Sequence, residues 1–205
     1  MTNKSLPSPT LVYDIGSHRY LNITARCTLR CQFCPKHNGS TQVHDYDLSL
    51  NKRITAVDII PLLGDVTEVD EYVFCGFGEP TLNLECLLQV AHTIKARGGR
   101  VRLNTDGLGN LFHRRNILPE LSQCIDSISI SLNADTPEGY QQHCRPKLAG
   151  SYDALLEFIH QAPQFFSQVQ ASAINGLSNV DISRCRNIAE QNGVTFKQRE
   201  LDKIG

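Results

Sequence analysis

The sequence predicts an α/β fold: a partial (β/α)6 barrel, TIM-like and open on one side, with an N-terminal β-hairpin. Three observations carry this. Short β-rich runs alternate with helical patterns along nearly the whole chain, and strands joined by helical crossovers pair in parallel. Six such units can be counted in 205 residues, whereas a closed eight-unit barrel typically takes about 250. No internal repeat or linker interrupts the alternation, so a single domain spans residues 1–205.

Residues 1–10, with the Ser/Pro-rich stretch Ser5–Pro9, are expected to form a flexible tip. Leu11–Ile15 and Arg19–Thr24 have strand character on either side of Gly16-Ser17-His18, which gives the hairpin. A run of cysteines follows, then a polar loop from Lys36 to Asp47. A helical pattern covers Asn51–Leu63, interrupted at Pro61 because proline removes a backbone donor. Tyr72–Cys75 is a short strand. Leu84, Leu87, Leu88, Ala91 and Ile94 recur at helical spacing, and Gly98-Gly99 ends that helix. Val101–Asn104 reads as a strand, Gly107–Gly109 as a turn and Leu111–Leu121 as a helix. Ser127–Leu132 alternates with a period of two, the mark of a strand. Thr136 followed by Pro137 starts a helix, and Tyr152–Ile159 adds a second on the same connection. Val169–Ile174 is a strand, and Asp181 caps a helix through Asn192 with Gly193 just past its end. Val194–Leu201 is the last strand.

Composition narrows the function classes. Hydrophobic residues make up 40 % and charged residues 20 %, which excludes a disordered or collagen-like chain. Twenty Lys+Arg against twenty-one Asp+Glu leave a net charge of −1, so the chain offers a nucleic acid no electrostatic attraction. The longest apolar stretches, Ile59–Leu63 and Tyr72–Phe77, are far below the roughly 20 residues that span a bilayer. Met1–Thr10 lacks the apolar core of a signal peptide. A cytoplasmic protein is expected, with neither a nucleic-acid nor a membrane partner.

Cysteine is the unusual component. The eight cysteines stand at 27, 31, 34, 75, 86, 124, 144 and 185, and a reducing compartment disfavours a disulfide framework. Three fall within eight residues as Cys27-Thr28-Leu29-Arg30-Cys31-Gln32-Phe33-Cys34, a CxxxCxxC pattern. Three thiolates on one tight loop can hold three irons of a [4Fe-4S] cluster, whose soft metal prefers sulfur, and leave the fourth iron open. A zinc site that recruits His37 and three unrelated buried thiols are the alternatives. Zinc loops usually pair their cysteines with a second distant couple, and no second CxxC or HxxxH couple is present. The other five cysteines have no ligand-like spacing and are expected in the core as small hydrophobes. No auxiliary cluster is expected, with Cys144 the one thiol that could belong to one.

The CxxxCxxC run resembles the signature of the radical S-adenosylmethionine (SAM) enzymes. Together with Gly76-Phe77-Gly78-Glu79-Pro80, Ser131-Leu132-Asn133-Ala134, Tyr140 and Cys144-Arg145-Pro146, it is similar to the small TatD-associated members of that superfamily, over nearly the whole chain. The resemblance implies a partial (β/α)6 barrel, one [4Fe-4S] cluster on Cys27, Cys31 and Cys34, and SAM as cosubstrate. It also implies reductive cleavage of SAM to a 5′-deoxyadenosyl radical that abstracts hydrogen from a substrate.

The remaining site residues lie where parallel strands end, the usual place for ligands in such folds. Gly76 and Gly78 let backbone approach a ligand, and Glu79 can accept a hydrogen bond from an ammonium group; in the resembled family this segment binds the SAM amino group. A turn with a solvated Glu is the alternative. Asn104 and Thr105 open Asn104-Thr105-Asp106-Gly107, where family members often have Thr-Asn-Gly, so Asp106 departs from the pattern. Ser131 and Asn133 suit ribose hydroxyls or the SAM carboxylate, or are simply part of a polar interior with Ser127 and Ser129. Ile174, within Ser172–Gly176, partly matches the family's adenine-side segment, with Ser172 in place of its first glycine. Phe33 is expected to stack near the adenine, and Arg30, beside Cys31, could equally be a solvated charge.

The compact size also resembles activases of glycyl-radical enzymes and 7-carboxy-7-deazaguanine synthases, although companion residues for the latter's substrate and magnesium are not identifiable. From another class, a non-catalytic iron–sulfur or zinc binding module remains open. The partners implied by the resemblance are a reductant such as flavodoxin or ferredoxin, a bulky or protein substrate or a subunit at the open side, and a TatD-type hydrolase.

Overall fold

The computed structural model describes residues 10–201, and the expected tip at Ser5–Pro9 lies outside them. The hairpin pairs β1 (Val12–Ile15) with β2 (His18–Leu21) antiparallel, Ile15 facing His18. Its loop is only Gly16-Ser17, with Gly16 at φ 59°, which suits a two-residue hairpin turn with glycine first. His18 therefore belongs to the second strand rather than the turn. Residues 22–24, expected to continue β2, lie past its end: the Asn22 N–H still donates to the Leu11 carbonyl, and its side chain donates to those of Thr10 and Leu48.

The expected polar loop holds a small separate hairpin, β3 (Gln42–Val43) with β4 (Tyr46–Asp47). Strands of two residues are too short to show periodicity. The pattern over 51–63 yields only α1 (Ala56–Ile59) and a 3-10 turn at Ile60–Leu62. Thr55 and Asp58 form a capping box that fixes the start five residues late, and Pro61 spoils the continuation.

Then strands and helices alternate: β5 (Glu71–Phe74), α2 (Leu84–Ala96), β6 (Val101–Thr105), α3 (Gly109–His113), α4 (Leu118–Leu121), β7 (Ser127–Ser131), α5 (Pro137–Cys144), α6 (Ser151–Gln161), β8 (Gln168–Asn175), α7 (Ile182–Gln191) and β9 (Thr195–Glu200). The single helix expected over 111–121 is two. Arg114 turns left-handed at φ 54°, and the Asn110 and Asn116 carboxamides accept from the backbone N–H groups of Ile117 and Leu118. Side-chain bonds of this kind compete with a continuing helix.

The main sheet runs β1-β2-β5-β6-β7-β8-β9, and every pair from β2 to β9 is parallel. Six parallel strands with helical crossovers make the partial, TIM-like barrel that the alternation predicts. Its two faces differ chemically. Tyr72, Phe74, Val101, Leu103, Ile128 and Ile130 point outward, at most 1 % exposed, into a core closed by Leu87, Val90, Ile94, Leu121, Leu155 and Phe158 of the helices. The alternate positions Arg102, Asn104, Ser129 and Ser131 face inward and stay partly exposed. A strand shows its two faces by a period of two, and here the inner one is polar.

Candidate metal centre

The cysteine loop leaves the C-terminal end of β2 and is held by its neighbours on three sides. Toward β5, the Glu79 N–H donates to the Arg26 carbonyl at 2.7 Å. Toward β6, the Thr28 hydroxyl donates to the Asp106 carboxylate. Toward α5, the N–H groups of Arg30 and Gln32 donate to the carbonyls of Cys144 and His143 at 2.9 and 2.8 Å, and Lys147 N–H donates to Thr28. Lysine ammonium groups finish the frame, Lys147 on the Cys27 carbonyl and Lys36 on that of Ala25. The loop's shape is thus set by the fold, and the three thiols of Cys27, Cys31 and Cys34 lie on it free and partly exposed.

Burial raises the Cys27 and Cys34 thiols above their usual range, and for Cys31 a hydrogen bond with Cys144 is the leading cause, ahead of burial. Without a metal these groups hold their protons; binding one releases them. Among the described residues no three His, Cys, Asp or Glu side chains close round one ion, the arrangement that the zinc alternative needs. Three soft thiolates on a fixed loop suit an iron–sulfur cluster, whose ligands sit on separate irons. A second feature fits: the Tyr140 hydroxyl is buried without a partner, within electrostatic reach of Cys144, Asp106, Cys31 and Cys27.

Gly76 and Gly78 are required, but for a different reason than expected. A Cβ at Gly76 would lie 2.4 Å from Asn22 Oδ1, and one at Gly78 2.2 Å from the Thr24 carbonyl. The close approach they permit is to the chain's own cysteine loop. Glu79 is likewise turned inward, only 4 % exposed. Its Oε1 accepts from Thr81 N–H, Thr81 Oγ1 and Thr105 Oγ1, and its Oε2 from Asp106 N–H. The carboxylate that the sequence offers to an ammonium ligand, or to solvent in the alternative, is spent on joining the ends of β5 and β6. Burial, with the nearby Asp106 carboxylate second, pushes Glu79 up to about 8, and burial raises Asp106 as well.

Thr105 serves that same network, whereas Asn104 faces the inner side with its Oδ1 buried and unpartnered. Ser131 lies opposite Ser172 on β8, and Asn133, left-handed at φ 59°, donates its N–H to the Ser172 carbonyl. Ile174 ends the apolar part of β8, 6 % exposed. Phe33 is half-buried and packs on the core, as do Cys27 and Cys31; Arg30 is exposed.

The sequence reading missed Arg199. It stands on β9 beside Ile174, its Nη2 donates to Asn133 Oδ1 at 2.6 Å, and its Nε is buried without a partner. Burial lowers its pKa, and the groups acting on its charge are the thiols of Cys75, Cys31 and Cys144. Thr195–Glu200 is polar except for Phe196, too little of a pattern to mark its faces, so only the register with β8 shows that Arg199 points inward. Asn104, Ser131, Asn133 and Arg199 thus gather with the cysteine loop at one end of the barrel.

The fold and site define a partial α/β barrel with three free thiols on one braced loop at the end of its polar inner face. The chain belongs to the radical SAM superfamily, whose family model matches residues 21–189. Members of that superfamily are enzymes that bind a [4Fe-4S] cluster and SAM, and these are the cofactors of this chain. It is 31 % identical over 91 residues to the tungsten-containing aldehyde ferredoxin oxidoreductase cofactor-modifying protein of Pyrococcus furiosus, covering 43 % of this chain and 23 % of that protein. To molybdenum cofactor biosynthesis protein 1 of Bos taurus it is 29 % identical over 164 residues, 77 % of this chain and 24 % of that one. The chain therefore spans about a quarter of the length of these curated relatives. SuiB of Streptococcus suis bound to SAM superposes with a TM-score of 0.66 at 13 % identity, over 90 % of this chain and 40 % of that one, a likeness of fold. No helix among the described residues is long and apolar enough to cross a membrane.

Proposed function

We propose that the protein cleaves SAM reductively and uses the product to abstract hydrogen from a substrate held at the open side of the barrel. The supporting observation is the cysteine loop, fixed by β5, β6 and α5, whose three partly exposed thiols lie at the polar end of the inner face. When bound, the cluster supplies one electron and an open iron, and SAM supplies the 5′-deoxyadenosyl radical. The protein's own part is to hold and orient. Cys27, Cys31 and Cys34 carry the cluster. The backbone of Gly76 to Gly78 meets the SAM ammonium, with Glu79 fixing that segment from behind. Ser131 and Asn133 take ribose hydroxyls, Arg199 and Asn104 take polar groups at the barrel end, and Phe33 and Ile174 flank the adenine. The inner wall must also exclude water around a reactive radical.

The finer grouping is with the small TatD-associated members, on the combination of Gly76–Pro80, Ser131–Ala134 and Cys144-Arg145-Pro146. A flavodoxin or ferredoxin as reductant, a bulky or protein substrate, and a TatD-type hydrolase partner belong to that reading. Anaerobic reconstitution with iron and sulfide, then SAM and dithionite, tests it. Formation of 5′-deoxyadenosine and methionine is expected; a reconstituted protein that forms neither is a binding module and contradicts the proposal.

A further inference from the structure

Helix α5 runs directly against the cysteine loop. Tyr140 and Cys144 are four residues apart on it, one turn, and so share a face. They are 1 % and 0 % exposed. The two backbone bonds from Arg30 and Gln32 to the last turn of α5 bracket Cys31 and hold it against that turn, where Cys144 stands. The Tyr140 hydroxyl is buried with no hydrogen-bond partner, and the charges that act on it are those of Cys144, Asp106, Cys31 and Cys27. Buried tyrosine hydroxyls usually find one, and a buried donor left unsatisfied costs on the order of 1–3 kcal/mol. Nothing about the packing of a helix against a loop requires this hydroxyl; phenylalanine would fill the same space without the penalty. An acceptor that arrives later accounts for it.

We propose that the Tyr140 hydroxyl and the Cys144 thiol donate hydrogen bonds to sulfur atoms of the cluster unit carried by Cys27, Cys31 and Cys34, and thereby raise its reduction potential. The inference rests on the cluster reading above. Reduction adds one electron, supplied by the external reductant, to a unit that is already negative. Donor dipoles aimed at its sulfurs stabilise that added charge, and hydrogen bonds to sulfur are a recognised control on cluster potential. No proton is transferred; both donors keep theirs.

The test is a potentiometric titration, followed by electron paramagnetic resonance, of the full chain reconstituted as wild type, Tyr140→Phe, Cys144→Ala and Cys144→Ser, with iron counted in each. All four are expected to keep about four irons per chain. Tyr140→Phe should make reduction roughly tenfold less favourable, a fall of about 59 mV for a one-electron couple. Cys144→Ala should shift in the same direction, and Cys144→Ser, which keeps a donor, should stay nearer to wild type. A Tyr140→Phe potential equal to wild type overturns the inference. So does loss of iron from Tyr140→Phe, which would assign the hydroxyl to holding the loop. A wild-type protein that takes up no four-iron cluster overturns the functional reading itself, and this inference with it.

Discussion

The two faces of the central sheet are built from the same strands and yet follow different rules. On the outer face, Phe74, Leu103 and Ile130 are completely buried under the helices, and the arrangement is that of any packed core. On the inner face, Arg102, Asn104, Ser129, Ser131 and Arg199 stand in alternate register to them; Arg102 pairs with Glu71, but Asn104 Oδ1 and Arg199 Nε lack partners. Parallel strands covered on both faces usually read as continuous apolar runs. These do not, because only one face serves stability. Unsatisfied polar atoms are costly in a core, so an inner face that keeps them is arranged for something that binds there.

Substitutions separate the faces most sharply at the cysteine loop. Cys27→Ala, Cys31→Ala or Cys34→Ala, each singly, is expected to abolish the four-iron unit and SAM cleavage, since no spare thiol stands on the loop. Iron analysis and the visible spectrum of the reconstituted protein decide it, and a full iron complement in any one variant breaks the assignment. The melting of the metal-free protein should hardly change, because the loop's frame is made by backbone and by Thr28, Lys36 and Lys147.

Phe74→Ala should do the opposite. It removes a fully buried ring from the outer face and is expected to cost about 3–5 kcal/mol. Iron bound per folded molecule should stay at the wild-type level, measured by urea unfolding and by iron content of the folded fraction. Arg199→Met sharpens the contrast further. Removing a buried guanidinium that has no carboxylate partner, only the Asn133 Oδ1 acceptor and nearby thiols, should leave stability within about 1 kcal/mol of wild type or raise it, while SAM binding weakens in calorimetric titration. A clear loss of stability would make Arg199 a structural residue and blur the difference between the faces.

The smallest effect concerns pH. Glu79 is raised from 4.5 to about 8 in the folded chain, so between those values the folded state holds a proton that the unfolded state has lost. Stability of the metal-free protein should therefore fall as pH rises from about 5 to 8. Glu79→Gln, which cannot ionise, should flatten that slope, and equal slopes in the two proteins would show that Glu79 titrates normally.

What was legible in the sequence follows from what is local. The alternation of Ser127–Leu132, the Leu84–Ile94 helix and the spacing of the three cysteines are short-range patterns, and each appears where expected. The Glu79 network was not legible, because its partners Thr105, Asp106 and Thr28 come together only through the pairing of β5 with β6 and the return of the cysteine loop. The same residue types that suit an ammonium ligand suit an internal brace, and only burial tells them apart. Arg199 was hidden by a strand whose single apolar residue, Phe196, is too little to show a period of two. Tyr140 stood in a recognised segment but had no local signal, since an orphaned hydroxyl is visible only after packing. The break at Arg114 depended on two asparagine side chains whose competition with the helix propensity cannot show.

The central claim is that three thiolates hold a cluster whose remaining iron opens onto the polar inner face. The most direct measurement is the electron paramagnetic resonance spectrum of the reconstituted, dithionite-reduced protein, recorded before and after SAM is added. A four-iron signal that changes on addition of SAM, and disappears in Cys31→Ala, is the expected result. A four-iron signal indifferent to SAM, or none at all, would contradict the claim.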